Sequence, residues 1–357
     1  MALEYYFIFF ITVLFSLNYE YDVNTVIQKK GSNVFHFIFF CILIFFIGFR
    51  FEVGGDWSSY NFYYQRAVNT TFLKYISLNE FSYAVINYFS SIISGGILLV
   101  NIICAIIFTY FLYNFLLQLP RPWLGLLIAI PYFIIVISMG FVRQGLAIAI
   151  FMYATTYIRK QKYVKFLFWI FFASTFHISA LAFMPLVLFQ YLQKKIISLF
   201  LILLPVFGIF YLNYQLIISK LEIYFLNEMV SDGAFIRSIM NLIPAVIFII
   251  FIKKFKISKS EKYFWTQMSF VSILFSIILI LYPNYTVIDR IGYYLIALQI
   301  FVFTFLPSVF GNPLKKNKFW VISVISYYFL VLFVWQNFAD HNYAWIPYKS
   351  YIFNLNW

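Results

Sequence analysis

Long apolar runs, broken only briefly, constrain this chain more than any other feature. They give expected spans near 2–18, 34–49, 96–118, 122–138, 140–158, 163–175, 178–192, 196–217, 236–252, 263–281, 287–306 and 319–336. Charged residues make up 10% of the chain and hydrophobic ones 64%, where soluble proteins average roughly 25% charged. That much apolar surface has no place in water. In lipid, every backbone polar group must find its partner within the protein, which leaves helices or closed barrels. Barrel strands alternate apolar and polar residues, and no such alternation occurs here. The expected fold class is therefore all-α: a polytopic integral membrane protein with about 12 transmembrane helices, forming one domain over 1–357. Pro131, Pro185, Pro205 and Pro244 fall within or beside spans and are expected to kink them. The stretch 81–94, FSYAVINYFSSIIS, is short and polar on one face, so it reads as an interfacial or re-entrant helix.

The first run, Ala2–Leu17, has neither a basic leader nor a small-residue cleavage site, and it reads as a retained helix. Cys41 and Cys104 lie mid-span in apolar surroundings and indicate neither a disulfide nor a metal site. The net charge is +13, a value compatible with nucleic-acid binding, but its distribution points elsewhere. With the N-terminus outside, the inner loops hold 17 of the 25 Lys and Arg residues and only Glu20, Asp22 and Glu261 among the acids. That is the positive-inside bias of a membrane protein, and it accounts for the charge with no nucleic acid as partner.

Against this background, the interruption FRFEVGGDWSSY (Phe49–Tyr60) stands out. It places Arg50, Glu52 and Asp56 around paired glycines where the second span leaves the lipid. In the expected topology, Arg143 and Gln144, His177, Asp289 and Arg290, and the tail with His341, Pro347 and Tyr348 lie on the same outer side. Ionisable groups near hydrocarbon are costly to keep and so are functional candidates. Each has a plainer alternative. Arg50 and Arg143 are placed to snorkel from helix ends, Gly145 and Ala149 to pack helices, His177 to bond between helices, and Tyr348 to anchor at the interface. The gathering of distant groups at one face favours an active site.

Three arginines at one interface suit an anion rich in oxygen, because guanidinium grips phosphate through two parallel hydrogen bonds. A lipid-linked diphosphate rests at that depth. No Asp-x-Asp pair and no ligand-spaced His/Cys set is present, so no metal and no cofactor are expected.

The order of these marks resembles the EpsG-like, Wzy-type polysaccharide repeat-unit polymerases. The resemblance rests on Arg50-x-x-Val53-Gly54-x-Asp56-x-x-x-Tyr60, on Arg143-Gln144-Gly145-Leu146-Ala147, and on Phe176-His177-x-Ser179-Ala180-Leu181 with Pro185 beyond. Arg290-x-x-Tyr293-Tyr294 and Pro347-Tyr348 complete it; the aromatic pair is Tyr-Tyr where Tyr-Phe is usual. It implies a metal-independent glycosyltransferase in the bacterial inner (plasma) membrane. Such an enzyme moves a growing glycan from undecaprenyl diphosphate onto a newly flipped, undecaprenyl-diphosphate-linked oligosaccharide. The product would be O-antigen, capsule or exopolysaccharide. Membrane lipid and a chain-length regulator are the further partners implied.

On this reading, Arg50, Arg143 and Arg290 hold the diphosphates and stabilise the departing one. His177 or Asp56 accepts the proton of the attacking hydroxyl. Tyr60, Tyr293 and Tyr348 meet the sugars, and Glu52, Gln144 and Tyr294 complete the substrate-binding set. A flippase for lipid-linked oligosaccharide is the main alternative, although no internal repeat is evident. A glycan ligase of similar chemistry or a membrane O-acyltransferase are others. The charge bias generates a first prediction. A cytosol-active reporter fused after Trp357 should stay silent, and a strong cytosolic signal would overturn the orientation.

Overall fold

The computed structural model describes residues 2–18, 30–187, 233–282, 286–312 and 316–352. It is all-helical: among the described residues the only strand-like pairing is one isolated antiparallel bridge, Arg50 with Ser350. The helices are α1 Leu3–Asn18, α2 Lys30–Gly48, α3 Trp57–Val68, α4 Phe72–Ile76, α5 Phe81–Ile92, α6 Gly96–Leu116 and α7 Pro122–Gly140. They continue with α8 Val142–Thr155, α9 Tyr163–Ser174, α10 Ile178–Val187, α11 Ala234–Lys254, α12 Lys259–Leu281, α13 Thr286–Phe310 and α14 Lys318–Phe338. A helix falls at 81–92, where a short amphipathic one is expected.

Six helices, α6, α7, α11, α12, α13 and α14, are long and apolar enough to cross a membrane by length and composition. The apolar segments Leu3–Asn18, Val34–Gly48, Tyr163–Ser174 and Ile178–Val187 are shorter than the ~20 residues a crossing takes. The expected span 140–158 is the 14-residue α8, whose residues are mostly buried. The expected span 196–217 and the end of 178–192 lie outside the described residues.

The chain divides into two compact units. The first holds residues 1–153, 175–177 and 303–357. Its axis is α7, packed against α1, α6 and α14 and almost wholly buried. Residues Ile130–Ile137 of α7 form a π-helix that begins next to Pro131. Proline has no N–H for the regular ladder, and a widened turn accommodates the gap. Gly145 lets α8 lie close to α7: a Cβ there would stand 3.2 Å from the Ser138 Cα. Beside this axis, α2 runs along α6, and α3 and α5 pack on each other.

The second unit holds residues 154–174 and 178–302. Here α11 and α12 pair along their lengths, and the start of α13 packs on both. Their contact is polar. The Ser276 hydroxyl donates to the Ser238 carbonyl at 3.2 Å, and the Asn241 amide donates to the Gly292 carbonyl at 3.3 Å. The Gln299 amide donates to Asn241 Oδ1 at 2.6 Å. With lipid tails as apolar as any side chain, such bonds and close packing associate helices. Asn241→Leu removes the bonds to the Gly292 carbonyl and from the Gln299 amide, so it should cost about 1–3 kcal/mol. We expect a lower melting temperature in detergent, with no change for Ile243→Leu, which is 37% exposed. Equal melting of the two variants would show that the Asn241 bonds contribute nothing.

Candidate active site

Arg50 is a cation with almost no water: it is 1% exposed. The chain leaves α2 at Gly48, and the guanidinium folds back over the helix end. Nη1 donates to the Ile47 carbonyl at 2.6 Å, Nε to the Val53 carbonyl at 3.3 Å, and Nη2 to Asn101 Oδ1 on α6 at 3.0 Å. All three acceptors are neutral oxygens. Ile47 supplies one of the carbonyls that a helix C-terminus leaves unpaired. The loop is shaped by Gly54, with φ at +115°. A Cβ there would stand 2.2 Å from the Met139 carbonyl oxygen, so glycine serves both the turn and the close approach to α7.

The C-terminal tail straps this loop down. The Phe51 amide donates to the Lys349 carbonyl at 2.9 Å, the Tyr351 amide to the Phe49 carbonyl at 2.8 Å, and the Gly54 amide to the Ala344 carbonyl at 2.7 Å. Lys349 pairs with Glu52 at 2.9 Å on the exposed side. The Tyr348 hydroxyl donates to the Phe46 carbonyl at 2.7 Å, and its ring stacks on Phe46. Burial pushes the Tyr348 phenol up to about 12, so it stays protonated for that bond. The deepest anchor is Trp345, 4% exposed, whose indole N–H donates to the Ile135 carbonyl in the π-helical part of α7 at 3.0 Å. Its ring lies where a Cβ on Gly140 would be, 2.2 Å away.

Arg143 opens α8 just beyond Gly140. Its Nη1 donates to the Glu80 carboxylate, and its guanidinium stands 4.8 Å from the Tyr63 ring centre and 5.9 Å from those of Tyr60 and Tyr83. Aromatic faces attract a cation, the more so when water is excluded. The Arg143 side chain is 18% exposed and that of Glu80 7%. The Arg143 Nε is buried without a hydrogen-bond partner, as is the Tyr83 hydroxyl. Burial raises the pKa of Tyr60, and the nearby Arg143 opposes this less strongly. Tyr60 therefore remains a neutral phenol. The turn Thr175–His177 docks beside this cluster: the Ser82 amide on α5 donates to the Thr175 carbonyl at 3.0 Å, and the two hydroxyls meet at 2.6 Å. His177 is half-buried there.

The first unit thus brings Arg50, Arg143, the His177 turn and the Tyr348 tail onto adjoining elements. Asp56 precedes α3 and is half-buried, with no side-chain bond capping that helix. Gln144 is 2% exposed.

The second unit holds the other expected residues. Asp289, adjacent to Arg290, takes Arg237 of α11 as its partner through two bonds of 2.8 Å, and it accepts from the Tyr293 hydroxyl at 3.1 Å. Tyr294 is fully buried, with its hydroxyl 3.0 Å from Ser179 Oγ. Arg290 is half-buried on α13. Among the described residues no group of three or more His, Cys, Asp and Glu comes together.

Sequence reasoning missed Glu80, Tyr63, Tyr83, Asn101, Trp345 and Arg237. Glu80 and Tyr83 were within reach of it, since Glu80 immediately precedes the 81–94 stretch and Tyr83 lies near its start. The others show themselves only once the helices pack. The strap generates a prediction: Trp345→Ala and Gly140→Val should both free the tail. We expect rapid C-terminal cleavage in limited proteolysis, with about 3–5 kcal/mol lost for the tryptophan. Wild-type cleavage rates in both variants would rule out Trp345 as the anchor.

No curated protein and no solved structure matches this sequence. The sequence model of the EpsG family matches residues 33–350. That range takes in the Arg50 loop, the Arg143 cluster, the His177 turn, Arg290 and the strap as far as Ser350, and by this match the chain belongs to the EpsG family.

Proposed function

We propose that this membrane protein polymerises oligosaccharide repeat units carried on a lipid diphosphate, at the outer face of the bacterial inner membrane. The growing glycan would leave its undecaprenyl diphosphate and join the terminal sugar of the next lipid-linked unit. The acceptor oxygen bonds to the anomeric carbon, the bond from that carbon to the diphosphate oxygen breaks, and the electron pair departs with the diphosphate. Family membership supports the polymerase class. The observation that carries the reading is Arg143: a cation ringed by three tyrosines, with a side chain 18% exposed and one buried donor unspent.

Arg143 and Arg290 are the cations assigned to the diphosphates, where fixed positive charge stabilises the leaving group. Arg50 takes a positioning role, because its three nitrogens already hold the loop. Tyr60 is assigned to the sugar side of Arg143, and Asp56 and His177 stay candidates for the acceptor's proton. Tyr348 supports the loop through Phe46.

The test is purified protein with lipid-diphosphate-linked repeat units in chelator-containing buffer. Wild type should build polymer there, since arginines supply the charge that a metal would bring. Arg143→Lys should slow chain growth by about a hundredfold or more, because lysine lacks the fork. Normal chain lengths with lysine, or activity that returns only with Mg²⁺, would overturn the assignment. In a deletion strain, single repeat units should still reach the surface; a strain exporting none would indicate a transporter.

A further inference from the structure

A helix on the surface of a soluble protein turns its apolar residues inward and its polar ones to water. The helix α5 does the reverse. Its inward face includes Tyr83, Asn87 and Ser90, all buried. The Asn87 amide donates to the Tyr83 carbonyl at 2.8 Å, and the Ser90 hydroxyl donates to the Gly96 carbonyl, where α6 begins, at 2.7 Å. The outward residues are Phe81, Val85, Phe89 and Ile92. Val85 is half-buried and the other three are more than half exposed. Steps of four, four and three positions place them on one face, as a continuous apolar stripe. At 1.5 Å per residue the stripe runs about 17 Å. The 12 residues of α5 are too few to cross a membrane, so this is not the flank of a crossing helix. A helix with its apolar side outward faces hydrocarbon.

The helix α3, packed against α5, presents the opposite surface. Its exposed residues are mostly polar: Ser58, Ser59, Asn61, Gln65 and Arg66 outnumber the two apolar ones. A border between a water-facing and a hydrocarbon-facing surface therefore runs between α3 and α5. The Arg143 cluster lies on that border. Tyr60 and Tyr63 come from α3 and Tyr83 from α5, while Glu80, bonded to Arg143, immediately precedes the first residue of the stripe. A cation at one end of an apolar stripe is the complement of an amphiphile with an anionic head. With its oxygens at Arg143, such a molecule has its chain beginning beside Phe81.

We infer that the outward stripe of α5 seats the isoprenoid chain of the lipid diphosphate whose head lies at Arg143. The inference rests on the polymerase reading above and adds to it the surface on which the carrier lies. Apolar contact is non-directional, so the stripe holds the chain without fixing its register, and the charged head alone sets the depth. The sugars, attached beyond the diphosphate, then lie toward the polar face of α3. Bulk phospholipid also has an anionic head. A diphosphate brings more charge and more oxygens to the guanidinium, so the carrier displaces phospholipid from this seat.

The seat can be labelled directly. Undecaprenyl diphosphate with a diazirine in its first isoprene units is added to the full-length protein in phospholipid nanodiscs. On irradiation it should label the 81–92 segment, and unmodified undecaprenyl diphosphate should displace it. A phospholipid with the same group in its acyl chain should also be displaced from that segment by undecaprenyl diphosphate. Isoprenoid label confined to other segments, or phospholipid label that undecaprenyl diphosphate leaves in place, overturns the inference; the stripe is then ordinary bilayer contact. The double variant Phe89→Gln/Ile92→Gln should bind undecaprenyl diphosphate in detergent about tenfold more weakly or worse. Ile106→Gln, at an exposed apolar site on α6, should bind it as wild type does. Equal loss in both, or loss in neither, also overturns the seat. If the double variant does not fold, the labelling of wild type decides alone. Failure of wild type to bind undecaprenyl diphosphate at all would instead refute the lipid-diphosphate reading, whereas binding without label on 81–92 refutes the seat and leaves that reading standing.

Discussion

Everything at this end of the first unit depends on how a buried arginine is kept content without a carboxylate. Arg50 is almost wholly buried, and among the described residues its charge is met by the dipoles of the Ile47 and Val53 carbonyls and of Asn101 and by the Trp57 ring, 5.9 Å away. Those dipoles must be fixed in place to be of use. The Ile47 carbonyl is available because α2 stops at Gly48, and Val53 faces inward because Gly54 adopts a left-handed turn. The loop stays in that shape because the tail lies on it. Solvating one cation therefore dictates a helix end, a glycine and a strap from the far end of the chain.

Arg143 answers the same problem with different chemistry. It has a carboxylate and three aromatic faces, remains partly open, and keeps one donor unused. The contrast sorts two residues that look alike in sequence: both follow an apolar span, and both open a polar motif. Burial and partners separate them. A guanidinium whose nitrogens are all committed stabilises the fold, whereas one with spare capacity can meet a ligand.

The sequence made the helical class and the polar punctuation legible, because apolar runs and isolated charges can be seen one residue at a time. It also placed a short helix near 81–94, close to the observed Phe81–Ile92. Pairings were harder to see. Glu80 and Arg143 lie 63 positions apart, and nothing local in either segment points to the other. Asp289 stands next to Arg290 in the chain, but successive helical residues point apart, and its partner is Arg237 on another helix. Gly140 falls at the start of the expected span 140–158. Its absent side chain is in fact what admits the Trp345 ring. Hydropathy cannot register such steric facts, nor does it tell a crossing helix from a short one buried within a unit, as α8 shows.

The strap also sets an order of events during synthesis. Ser350 bonds to Phe49 across 301 positions, so the loop leaves the ribosome long before the segment that covers it. Throughout that interval the Arg50 loop lacks its bonds to the tail, and Gly140 faces a space that its tryptophan has yet to fill. The polar centre of this unit is therefore completed only after some 301 further positions have been translated. A chain truncated shortly before Trp345 would keep every helix from α1 to α14 and still lack a finished loop.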